Sequence, residues 1–99
     1  MKKRIDGRIY NTETATLIAE HNNGKARNDL AFQEEQLYRK KNGEFFIYGC
    51  GNANSWYAQP TKDGWYRSGE QIVPIDAESA ERWGRKHMTT DKYSTVFGQ

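Results

Sequence analysis

The residues able to do chemistry are few and dispersed. Cys50, His21 and His87 are the only thiol and imidazole groups in the chain. They lack the paired spacing that closes a metal site, so no metal and no cofactor is expected. A nucleophilic Cys–His pair would require the fold to bring distant positions together. Glu34 and Glu35 are adjacent, and on a strand they point to opposite faces and cannot share a proton. Gly49-x-Gly51 follows an apolar run and fits the first two glycines of a dinucleotide fingerprint. The third position is Asn54, however, and no helical pattern comes after it. The plainer reading is a loop over 49–55 whose glycines supply positive φ angles. The residues point to binding, not to an enzyme.

Binding chemistry is better supplied. The chain carries 13% aromatic residues, and Trp56, Tyr57, Trp65, Tyr66 and Arg67 are of the types enriched at protein-binding hot spots. A chain of 99 residues has little interior volume for so many rings, which leaves some of them accessible. The competing reading is a second hairpin bearing these rings that simply packs over the first. Basic residues form three groups: Lys2-Lys3-Arg4 with Arg8, Arg39-Lys40-Lys41, and Arg82-Arg85-Lys86. The third is internally paired, Glu78 preceding Arg82 and Glu81 preceding Arg85 by four residues, and reads as helix decoration. The first two can form a phosphate-binding surface, with the aromatic residues as stacking platforms for a single strand.

Composition narrows the class. Ninety-nine residues predict one domain spanning the chain. The apolar fraction of 35% and mean hydropathy of -1.04 are low, so a small, aromatic-rich core is expected. A net charge of +2 does not by itself imply nucleic acid and excludes the acidic surface of a DNA mimic. One cysteine fits a reducing compartment. Lys2-Lys3-Arg4 is not followed by an apolar run, so neither a signal peptide nor a membrane span is expected, and a soluble cytoplasmic protein is the default expectation.

The elements that must position these groups are read from pattern. Arg4 to Tyr10 around Asp6-Gly7 is a short edge strand or tight turn. Asn11 or Thr12 caps a helix with Ala15, Ile18 and Ala19 inward, ended at Asn22-Asn23-Gly24. Asn42-Gly43 between Leu37–Lys41 and Glu44–Tyr48 reads as a two-residue type I′ hairpin turn. That turn sets Lys40 opposite Phe45, Arg39 opposite Phe46, Tyr38 opposite Ile47 and Leu37 opposite Tyr48. Leu37, Arg39, Phe46 and Tyr48 then share one face, and both faces carry large apolar groups and a cation. A core claims one face; the second needs a cover or a partner. Trp56–Ala58, Trp65–Arg67 and Glu70–Ile75 are further strand segments, with Pro74 marking an edge. Asp76 caps a helix with Ala77, Ala80, Trp83 or Gly84, and Met88 inward. Thr90 or Asp91 caps a last one with Tyr93, Val96 and Phe97 inward and Gly98 as its stop. The expected class is α+β, a small antiparallel sheet of three to four strands with helices packed on one face.

Several segments taken together resemble a family of short uncharacterised proteins of bacterial phages and mobile elements. They are Tyr10-Asn11-Thr12-Glu13-Thr14-Ala15, Glu35–Arg39, Gly43–Gly51, Ser55-Trp56-Tyr57-Ala58, Gly69–Pro74 and the ending Tyr93 to Phe97-Gly98. This chain has Asn52 where the relatives carry a glycine. The resemblance transfers no catalytic or metal-binding residue. It implies a context in which small proteins inhibit a host complex, anti-CRISPR proteins being a prominent class. The expectation is a stoichiometric inhibitor, monomeric or a small homo-oligomer. It would dock Arg39, Phe46, Tyr48, Trp56, Tyr57, Trp65, Tyr66 and Arg67 onto a host protein complex such as a CRISPR effector. The alternative is a nucleic-acid-binding accessory or regulatory protein of a mobile element.

Overall fold

The computed structural model describes residues 1–98. In chain order the elements are β1 (Lys2–Ile5), β2 (Arg8–Asn11), β3 (Thr16–Asn22), β4 (Gln33–Arg39), β5 (Phe45–Gly51), β6 (Gln59–Pro60), β7 (Tyr66–Arg67), β8 (Gly69–Ile75), α1 (Ala77–His87) and α2 (Thr90–Phe97). An antiparallel sheet of order β3-β4-β5-β8 forms the centre, with β1-β2 and β6-β7 as separate two-stranded ribbons. The fold is α+β, as the sequence pattern predicts.

The central hairpin forms with a register one residue away from the expected one. The turn is a three-residue loop, Lys41-Asn42-Gly43: the Gly43 N–H donates to the Lys40 carbonyl at 2.9 Å and the Lys40 N–H to the Glu44 carbonyl at 2.7 Å. Gly43 has φ +92° and Asn42 is not in the left-handed region, which is a type I turn closed by a glycine bulge and not a type I′ turn. Leu37 therefore pairs with Ile47, Tyr38 with Phe46 and Arg39 with Phe45. A slip of one residue reassigns one arm to the opposite face relative to the other. Leu37, Arg39, Phe45 and Ile47 share the helix-bearing face, and Tyr38, Phe46 and Tyr48 the back face. The type I′ turn falls instead at Asp6-Gly7, whose φ values are +51° and +78°.

A strand, β3, stands where the spacing predicts a first helix. Ala15, Ile18 and Ala19 have helical spacing, but a bulge between Leu17 and Ala19 breaks the two-residue alternation, and Ile18 and Ala19 both reach the interior. Segment 49–51 is likewise strand and not loop, and Trp56–Ala58 lies in a turn. Pro74 sits in β8, an edge strand, where its missing N–H costs no ladder bond.

Two clusters cover the two sheet faces. On one, α1 and α2 pack Ala80, Trp83, Met88, Val96 and Phe97 against Ile18, Ala19, Leu37 and Ile47. Asp76 caps α1 by accepting from the Ser79 N–H at 2.8 Å; Thr89, one residue before the expected cap, caps α2. Gly84 lets the helices close, since a Cβ there would lie 2.9 Å from the Phe97 ring. On the back face the β1-β2 ribbon lays Tyr10 and Ile5 over Tyr38, Phe46 and Ile72. Phe46 stacks on Tyr38 at 5.2 Å and meets the edge of Tyr10 at 5.5 Å. The second face thus has its cover at the turn end of the hairpin. Phe46→Ala should cost about 3–5 kcal/mol in urea unfolding, and a loss below about 1 kcal/mol would show that Phe46 is not a core residue.

Candidate functional site

Glu35 is the hub of the opposite end of the sheet. It lies on the helix face of β4 across from Gly49. Gly49, Gly51 and Gly69 leave a bare floor there, over which the segment 52–59 crosses. A Cβ on Gly49 would meet the Tyr57 ring at 2.0 Å, one on Gly51 the Ser55 hydroxyl at 2.2 Å, and one on Gly69 the Gln59 side chain at 2.4 Å. These glycines serve close approach, not turning: neither Gly49 nor Gly51 has positive φ. The Tyr57 hydroxyl donates to Glu35 Oε2, and the Trp83 indole N–H of α1 donates to Oε1 at 2.9 Å. Burial, then the bond to the Glu35 carboxylate, raises the Tyr57 phenol well above its ordinary pKa.

This anchor fixes the chain on either side of Tyr57. The Trp56 N–H donates to Gln33 Oε1 at 2.8 Å, and Asn52 Nδ2 donates to the carbonyls of Arg27 and Asp29, each at 2.7 Å. The Trp56 ring stays outside, 82% exposed. Directly after the anchor, the β6-β7 ribbon pairs Gln59 with Arg67 and Pro60 with Tyr66. Its Lys62-Asp63-Gly64 loop closes as the central hairpin does, Gly64 at φ +83°. Trp65 and Tyr66 are 75% and 61% exposed, and Arg67 is exposed. The ribbon does not bury its rings on the first hairpin.

The remaining predicted binding residues lie elsewhere. Phe46, fully buried, and Tyr57, 3% exposed, are interior residues: the hairpin register turns the first under Tyr10 and the glycine floor receives the second. Arg39 is half-buried on the helix face. Tyr48 is half-buried on the back face and donates to Glu70 Oε1 at 3.2 Å; burial first, then the charges of Cys50 and Glu70, push its pKa up to about 12.

Beside Glu35 the fold joins residues that the sequence holds far apart. His21 of β3 stacks on His87, at the end of α1, with ring centroids 3.9 Å apart, and Trp83 packs on His87 at 4.9 Å. With Asn23, Gln33, Glu35, Trp56 and Lys86, the two histidines line an open hollow of about 490 Å³. No local spacing signals this pair, since a strand and a helix C-terminus contribute one ring each. Cys50 is on the other face, its thiol 4.0 Å from Glu34, and burial followed by the Glu34 charge raises its pKa. It does not meet either histidine. Glu34 and Glu35 do face opposite sides, Glu34 toward Arg27 at 3.7 Å. Among the described residues no three metal-ligating side chains converge, and no helix is long and apolar enough to cross a membrane. Compared with known protein families, curated proteins and solved structures, the chain matches none.

Two measurements check this geometry. Gly49→Ala should destabilise by about 1–3 kcal/mol, because the Tyr57 ring cannot yield without releasing Glu35; unchanged stability would refute the close approach. Burial and the neighbouring His21 hold the His87 pKa below 6.5, so the folded chain favours the neutral ring. The unfolded chain then takes up the proton first, and stability declines as pH falls through about 6.5. That decline should be smaller in His87→Gln; an identical pH profile would exclude His87 as its source.

Proposed function

We propose that this chain acts by binding, docking an aromatic surface onto a protein assembly without catalysing a reaction. The observation that carries this reading is the exposure of Trp56, Trp65 and Tyr66, at 82%, 75% and 61%, on backbone that is hydrogen-bonded in place. Such rings are costly to leave in water, each presenting roughly 150–250 Å². Together they supply a large share of the roughly 800 Å² that one partner buries in an ordinary interface. Arg67 adds a cation of the type that recurs with Trp and Tyr at binding hot spots. Backbone that is already hydrogen-bonded in place loses little entropy on docking, which favours affinity.

The resemblance to small proteins of phages and mobile elements directs the search to bacterial host complexes, CRISPR effectors first. In that role the chain is a cytoplasmic, stoichiometric inhibitor. With a net charge of +2 it blocks a protein surface or a conformational step and does not imitate the charge of DNA.

The test is calorimetric titration of the tagged chain against candidate effectors, with Trp56→Ala, Trp65→Ala and Tyr66→Ala in parallel. Each substitution should weaken binding by about 2 kcal/mol or more, roughly 30-fold, while the thermal midpoint stays put. Equal binding by all three variants would overturn the proposal.

A further inference from the structure

The far end of the sheet holds a second, chemically different surface. The β1-β2 ribbon, the 12–15 turn and the β4-β5 loop enclose an open hollow of about 400 Å³. Lys2, Lys40 and Lys41 line it, with Asn11, Thr14 and Asn42 between them. Two of the basic groups separated in the sequence therefore meet at one place.

Lys40 is built in. Its ammonium sits 4.5 Å from the centre of the buried Tyr10 ring and 2.9 Å from Glu44 Oε1. Glu44, the acid that pairs with Lys40, is already occupied: Arg8 pairs with its other oxygen and Asn42 Nδ2 donates to Oε1 at 2.8 Å. It fixes Lys40 without cancelling Lys2 and Lys41, both exposed and with no carboxylate within ion-pair distance among the described residues. Glu13, in the turn beside Thr14, is exposed at the rim. Asn11 Oδ1 accepts from the Glu13 N–H at 2.9 Å, which leaves its Nδ2 as a donor. Two unpaired ammoniums, a third held in place by Glu44, and the Asn11 amide around one concavity suit a phosphate, whose oxygens accept from such donors.

We propose that this hollow binds the sugar-phosphate backbone of a nucleic acid strand. The cations continue beyond it: Arg4, two residues from Lys2, lies on the same side of β1, about 6.6 Å along the strand. A single small phosphate needs no such extension; a polyanion does. This surface lies at the Lys40 end of β4 and Trp56 at the Gln33 end, about 23 Å apart at the rise of a strand. The two surfaces can therefore be disabled separately.

Fluorescence anisotropy of a labelled single-stranded 20-mer in about 50 mM salt tests the proposal on the full chain. The variant is Lys2→Gln/Lys41→Gln, in which both substituted residues are exposed. The control, Lys25→Gln/Lys62→Gln, removes the same charge elsewhere. The site variant should bind at least ten-fold more weakly, and its logarithmic salt slope should fall by about 1.4; the control should fall clearly less. Equal losses in the two variants, or no binding by the unmodified chain, would overturn the proposal. So would inorganic phosphate shifting the Lys41 and Asn42 amide resonances while the oligonucleotide fails to bind. Loss of binding in Trp56→Ala with the lysine variant unaffected would place the strand elsewhere and also overturn it.

Discussion

A half-buried carboxylate holds one end of this protein together. Glu35 accepts from Tyr57 in the crossing segment and from Trp83 in α1, and so ties β4 to both elements at once. Removing a carboxylate from water is unfavourable unless its oxygens are hydrogen-bonded, and here each of them has a donor. The arrangement is directional where hydrophobic packing is not. It fixes the Tyr57 ring over Gly49, while the adjacent Trp56 ring stays outside. The stacked histidines lie along the same seam, where β3 and the end of α1 approach the hub.

The sheet also separates charge along its strands. At the β4-β5 loop the cations Lys2, Lys40 and Lys41 gather around one hollow, and Glu44 is absorbed into a local network with Arg8, Lys40 and Asn42. The hydrogen bonds from Lys40 and Asn42 hold the Glu44 carboxyl down to about 2, so this network persists across the whole physiological range. At the opposite end the back face carries the buried Glu34, paired with Arg27, and the exposed Glu70 beside Tyr48 and Cys50.

Much of the architecture is legible in the residues. Asp76 as a cap, apolar spacing through Met88, and Gly98 as a stop locate both helices, since capping and periodicity are local properties. The central hairpin is legible too, but not its register. Asn-Gly suits a two-residue turn, yet Gly43 alone takes the left-handed conformation, and the added loop residue shifts every cross-strand pair. The β3 strand is masked by its bulge, which makes two successive residues face inward and so imitates a helical spacing. Gly49 and Gly51 look like loop glycines because sequence cannot distinguish a glycine that turns from one that makes room. Aromatic surplus is visible as composition; which rings it leaves outside depends on Glu35 and the glycine floor. The His21–His87 contact has no local signature at all.

The two borders of the sheet differ in how they resist an added strand. On β8, Pro74 removes a hydrogen-bond donor. On β3, the irregularity between Leu17 and Ala19 spoils the even ladder that a newcomer would have to match. Neither rim offers a clean template for backbone pairing, so association by β-augmentation is disfavoured from both directions. A partner of the kind proposed would therefore be recognised through side chains and not through an added strand.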